Sequence, residues 1–255
     1  MIRYEQEGHR ATITIDDPGK RNPTSTDAMV GLAEATRRAL GVSEVRAIVY
    51  TGAGDQAFSA GGDLASGFVD DALGLHRTRG ALADLFRLMV RGGKPTVARV
   101  NGHALAGGFG LAVACDVVVA VDDAKMGTPE INVGLWPMMI TAVLLRAMPR
   151  KAVLDLMMTG RVITPVEAQA LGAVTRVVPR SRLDGTVDEV VEALTSKSSA
   201  VMTLGRDSFY AVAEMGFDAA LDRLQAGLTA VASTADSAEG VAAFQDRREP
   251  RWSGR

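Results

Sequence analysis

Two stretches, "VRAIVYTG" (residues 45–52) and "CDVVVAVD" (115–122), carry apolar, mostly β-branched side chains at consecutive positions. A strand with one wet face alternates apolar and polar residues, so an unbroken apolar run predicts a strand covered on both faces. "HRATITID" (9–16) does alternate and also predicts a strand; "KPTVARV" (94–100) and "AVTRVVP" (173–179) complete the set. Helical patterns lie between them, over residues 26–40, 78–90, 140–147 and 150–158. The first has Ser25 or Thr26 as its cap. "TPVEAQALG" reads as a short helix with Thr164 as N-cap, Pro165 at its first position, Glu167 closing a capping box and Gly172 ending it. Strands alternate with helices up to about residue 179, and only helical patterns follow.

The expected architecture is therefore an α/β core over residues 1–195 and a helical segment over 196–255. The charged tail "QDRREPRWSGR" is expected to be loose. With 255 residues and 47% apolar content, the chain can bury a core without disulfide or metal. The formal net charge is −2 with scattered Lys and Arg, which argues against a nucleic-acid surface. Cys115 is the one cysteine, so no internal disulfide forms; inside an apolar run it reads as an inert core thiol. There is no apolar segment of signal-peptide or membrane-span length, and a soluble cytoplasmic protein is expected.

His9, His76 and His103 are too dispersed for a zinc motif. "GAGDQA" (52–57) fits a loose GxGxxA pattern after a strand, but no helical period follows, so a plain turn is the better reading.

Two glycine clusters remain, "FSAGGD" (58–63) and "ALAGGFG" (104–110), each following a strand. The second opens a short helix, although glycine is about 1 kcal/mol worse than alanine inside one. Glycine exposes backbone N–H groups, and the first N–H groups of a helix lack partners, so two such loops can converge on one oxyanion. Close packing of helix on strand explains the glycines about as well.

"AFSAGGDL", the stretch from "KPTVARVNGHALAGGFG" through "GTPEINVGL", and "LMMTGRVITPVEAQALGAVTRVVP" resemble three successive signatures of the enoyl-CoA hydratase/isomerase (crotonase) family. Together with "DPGKRNPTS" the resemblance spans residues 2–179. It implies a spiral of ββα units, C-terminal helices used in oligomerisation as a homotrimer or dimer of trimers, and an acyl-CoA thioester substrate. It implies no metal or nicotinamide cofactor; coenzyme A arrives with the substrate. By motif position, the oxyanion donors are the amides of Gly62 and Gly107, Ala60 offers its carbonyl to the adenine, and Lys20 and Arg21 are candidates for phosphate contact. A solvated turn explains the last two equally well.

Hydratases of the family use two glutamates. Here the second is Glu130, in "GTPEINVG", and the first position is Gly110, which is expected to leave room for a larger acyl group. Hydration needs water to lose a proton while Cα gains one; a lone carboxylate suffices to move one proton between Cα and Cγ. The single glutamate thus tilts the expected chemistry from lyase toward isomerase. Trp136, Met138 and Met139 either wall an acyl pocket or pack in the core. An acyl-CoA thioester hydrolase and a non-catalytic acyl-CoA binding protein are the alternatives. Arg99 has no role here beyond an ion pair or an edge position.

Overall fold

The computed structural model describes residues 1–63 and 72–255, with the side chains of 72–75 and 77–79 left aside. Leu64, the last residue of the first glycine-bearing signature, lies outside the described residues.

A hairpin of β1 (Ile2–Glu7) and β2 (Arg10–Ile15) turns at Gly8, which has a positive φ of 52°. It continues into β3 (Ala47–Gly52), β5 (Thr96–Val100), β7 (Val117–Val121) and β10 (Arg176–Val178), giving a six-stranded sheet in the order β1-β2-β3-β5-β7-β10. All pairings but β1/β2 are parallel. A second, smaller sheet has the order β4 (Ala57–Ser59), β6 (His103–Leu105), β8 (Met126–Gly127), β9 (Val162–Ile163). Successive turns of chain thus place one strand in each sheet, which is a ββα spiral.

The apolar runs behave as their pattern demands. Ile48, Tyr50, Ala98, Val100 and Val118 point into the main core. Ala47, Val49, Val97, Val119 and Val121 point the other way, under α7 (Leu183–Thr195) and its Leu183, Val187 and Val190. Arg99, read from sequence as an ion-pair or edge residue, forms the ion pair and ties the two layers: its Nε donates to Asp184 Oδ1 of α7 at 2.7 Å. Burial also raises the Cys115 thiol well above its usual range, as an inert core position requires.

Helix α1 (Thr26–Gly41) starts where Ser25 Oγ accepts the Ala28 amide at 3.3 Å. Helix α2 (Ala72–Arg91) begins earlier than the sequence pattern suggests. Then come α3 (Gly107–Val113), α4 (Met138–Ala147), α5 (Arg150–Thr159) and α6 (Pro165–Ala170). Thr164 Oγ1 caps α6 through the Glu167 amide, but no reciprocal capping box forms: the Glu167 carboxylate is engaged by Arg161 at 2.7 Å. No helix opens at "GAGDQA"; residues 53–56 bend straight into β4.

Helices α8 (Ser199–Val212), α9 (Phe217–Ala232) and α10 (Ala235–Asp246) complete the chain. α8 is fastened through Asp116, which accepts Arg206 Nε at 2.9 Å and the Tyr210 hydroxyl at 2.6 Å. Arg206 also donates to the Met89 and Val90 carbonyls at the end of α2.

The tail is not loose. Asp236, 1% exposed, accepts the amides of Ser253 and Gly254 and the hydroxyls of Ser198 and Ser253. Trp252 Nε1 donates to Ser196 O at 2.8 Å, and Arg248 grips Glu239. Tertiary partners, invisible in a local charge pattern, capture the segment. No helix among the described residues is long and apolar enough to cross a membrane.

Candidate active site

Strands β4 and β6 are parallel neighbours in the small sheet, so the loops that follow them emerge at the same sheet edge. Those loops are the two glycine clusters. Both open onto a cavity of about 1070 Å³.

Local hydrogen bonds aim the two amides. The Gly61 carbonyl accepts the Thr24 amide at 2.8 Å. In a trans peptide the N–H points opposite its C=O, so this bond directs the Gly62 N–H away from Thr24's backbone. The Ala106 carbonyl accepts the Gly110 amide at 3.1 Å, as the first bond of α3, which turns the Gly107 N–H outward from the helix start. Ala106 holds that turn at φ 52°, ψ −127°, a strained conformation for a residue with a Cβ. Among the described residues neither the Gly62 nor the Gly107 amide has an acceptor, and both residues line the cavity.

The segment carrying Thr24 is locked beside them. Asn22, fully buried, donates through Nδ2 to the Ala53 and Ala57 carbonyls, and its Oδ1 accepts the Asp17 amide. The Ala60 amide donates to Arg21 O at 3.0 Å, and Ala60 lines the cavity.

Glu130 stands in a 3-10 turn, Pro129–Val133, that follows β8. β8 lies next to β6, so this third loop reaches the same cavity. Glu130 Oε2 is buried with no hydrogen-bond partner among the described residues. Burial raises its carboxyl to about 6, only partly offset by a hydrogen bond from its own backbone. The cavity wall is otherwise largely apolar, with Trp136 just before α4 and Met138, Met139 and Ile140 at its start.

Gly110 is a correction. It does not line the cavity, and it leaves no room for an acyl group. A Cβ built there would lie 2.5 Å from Ile140 Cβ. The space is filled by Ile140, itself 3% exposed. Gly108 likewise serves packing: a Cβ would meet the Ser59 carbonyl at 2.5 Å. Close packing thus accounts for the glycines at 108 and 110.

Lys20 is exposed at the end of the turn Pro18–Lys20 and lines neither cavity described here. Arg21 lines a separate, more polar cavity of about 500 Å³, with Gln56, His103 and Arg180. The structure thus gathers Ala60, Gly62, Gly107, Glu130, Trp136 and Met139 on one cavity and leaves Lys20, Arg21 and Gly110 off it. Sequence reasoning missed Thr24, Ala106 and Ile140. An alanine before a glycine pair gives no sign of its positive φ, and Ile140 is thirty residues from the glycine it faces.

A family model described as enoyl-CoA hydratase/isomerase matches residues 5–255. A Thermus thermophilus protein that carries an enoyl-CoA hydratase name is 37% identical over 99% of this chain and 100% of its own. Carnitinyl-CoA dehydratase of Salmonella enteritidis is 31% identical over 100% of this chain and 98% of its own. The crystal structure of an enoyl-CoA hydratase from Mycobacterium smegmatis superposes with a TM-score of 0.94 at 29% identity, covering 98% of each chain.

Proposed function

The chain belongs to the enoyl-CoA hydratase/isomerase family, whose members act on acyl-CoA substrates, and from that premise we propose that it moves a proton on an enoyl-CoA thioester through an enolate held by the Gly62 and Gly107 amides. Glu130 is the acid/base. Its carboxylate takes a proton from Cα, negative charge moves onto the thioester oxygen, and the same carboxyl returns the proton at Cγ. The double bond shifts and no atom is gained or lost. One preorganised donor at such an oxygen is typically worth about 3 kcal/mol of barrier. A carboxyl near 6 is mostly ionised at neutral pH yet more basic than an exposed glutamate.

The observation that carries this reading is the meeting, on one cavity, of two amides and one buried carboxylate oxygen that have no hydrogen-bond partner among the described residues. The isomerase tilt rests on Ile140, which fills the side of α3 where a second carboxylate would stand. The second reading is reversible water addition, favoured by relatives that carry hydratase and dehydratase names. Incubation with 2-enoyl and 3-enoyl CoA thioesters of several chain lengths separates the two. Double-bond migration without 3-hydroxyacyl product supports isomerisation; water addition alone overturns it. Free CoA as the main product would point to hydrolysis, and binding without turnover to a non-catalytic role.

Self-association as a homotrimer or dimer of trimers is proposed on a separate observation. α9 buries none of its residues, and Phe217, Leu221 and Leu228 lie exposed along it. Phe209 on α8 and Phe244 on α10 extend this apolar surface over the C-terminal helices. Sedimentation of the wild type against Phe217→Glu tests it: a monomeric wild type rules it out.

A further inference from the structure

We propose that the Thr24 hydroxyl is a third hydrogen-bond donor to the bound thioester, beside the Gly107 amide; this rests on the enolate reading above. Thr24 is 2% exposed and lines the large cavity. Its Oγ1 has no hydrogen-bond partner among the described residues. The task such a hydroxyl would ordinarily perform at the start of α1 is already taken, because Ser25 Oγ caps the helix. A hydroxyl inside the protein is normally satisfied by protein or by what binds there.

Its place is next to Gly107, and its main chain bonds the peptide that carries the Gly62 amide. Oγ1 lies 3.0 Å from where a Cβ on Gly107 would stand, so the hydroxyl borders the backbone of that donor. Its own amide holds the Gly61 carbonyl at 2.8 Å, which sets the direction of the Gly62 N–H. One residue therefore orients the first donor through its main chain and abuts the second with its side chain. Rotation about Cβ–Oγ1 can deliver a proton to an oxygen seated between the two amides. A donor that strengthens its bond as the oxygen gains charge lowers the barrier more than it tightens ground-state binding.

The test compares Thr24→Val, which keeps shape and removes the hydroxyl, with Thr24→Ser, which keeps the hydroxyl. Thr24→Val is expected to lower kcat about 10- to 100-fold with KM changed less than about threefold. Thr24→Ser is expected to stay within about threefold of wild type. A saturated acyl-CoA labelled with 13C at the thioester carbonyl supplies a second readout. Its infrared carbonyl band should fall in frequency on binding wild type and fall less on Thr24→Val. An undiminished shift or unchanged kcat in Thr24→Val, or equal damage in Thr24→Ser, overturns the proposal while leaving the amide pair intact. No shift on wild type overturns the enolate reading and this proposal together.

Discussion

Ile140 and Gly110 share one volume. The first turn of α3 can approach α4 only because residue 110 lacks a Cβ, and the Ile140 side chain that fills the space forms part of the cavity wall. Gly110→Ala should cost about 1–3 kcal/mol, since neither backbone can yield cheaply. Ile140→Ala should cost about 2–5 kcal/mol through the void it leaves. The double variant should be more stable than the sum of the singles by at least about 1 kcal/mol. Denaturant melts measure this coupling, and strict additivity would refute it. With the space reopened, Gly110→Glu with Ile140→Ala is expected to gain hydration of 2-enoyl-CoA that Gly110→Glu alone does not show.

Glu130 predicts opposite pH trends for activity and stability. The base form is needed, so kcat/KM should be flat above about pH 7 and fall tenfold per unit below about pH 6. Its folded pKa is raised, so its contribution to stability is complete below the usual carboxylate value and lost as pH rises through about 6. Glu130→Gln should therefore lose about 10²- to 10⁴-fold in kcat. It should melt at or above the wild-type temperature at pH 8, with that advantage gone near pH 4.5. A wild-type rate profile flat down to pH 5 would exclude Glu130 as the base.

Ala106 stores strain beside the donor it orients. Ala106→Gly relieves a conformation costing about 1–3 kcal/mol and adds about 0.4–1 kcal/mol of unfolded-state entropy. A net gain in melting temperature with activity retained is expected. Ala106→Val should lose both. A destabilised Ala106→Gly would show that the turn is imposed without strain.

Asp236 is the anchor of the tail. Burial pushes its carboxyl up, but hydrogen bonds from Ser198, Ser253 and Gly254 outweigh this and hold it near 2. Its stabilisation is present above about pH 4 and lost as pH falls toward 2. Asp236→Ala should cost about 2–4 kcal/mol. It should also expose residues 250–255 to rapid amide exchange and proteolysis while leaving thioester chemistry intact at neutral pH. A tail still protected in the variant would place the anchor elsewhere.

The strands, most helices and the glycine loops were legible because their signals are local. The unbroken runs around Ile48 and Val119 reported burial on both faces; Ser25 and Thr164 reported caps. What escaped depends on partners far along the chain. Arg161 draws the Glu167 side chain out of a capping box, and Glu239 and Asp236 turn a charged tail into packed structure. Gly110 showed that a side chain was missing at that position but not that Ile140 had taken its place. Thr24 carries no local signal either, because its interest lies in a hydroxyl beside Gly107 that has no hydrogen-bond partner among the described residues.

The two amide-bearing loops leave adjacent parallel strands, which pair about 4.8 Å apart, so strand pairing holds the two loops side by side. Helix α2 and strand β5, which lie between them in sequence, pair with neither strand. Substitutions on α2, which lines the cavity at Leu82, Ala83 and Arg87, can therefore accumulate during divergence and reshape what the pocket admits, while the spacing of the two loops stays in register.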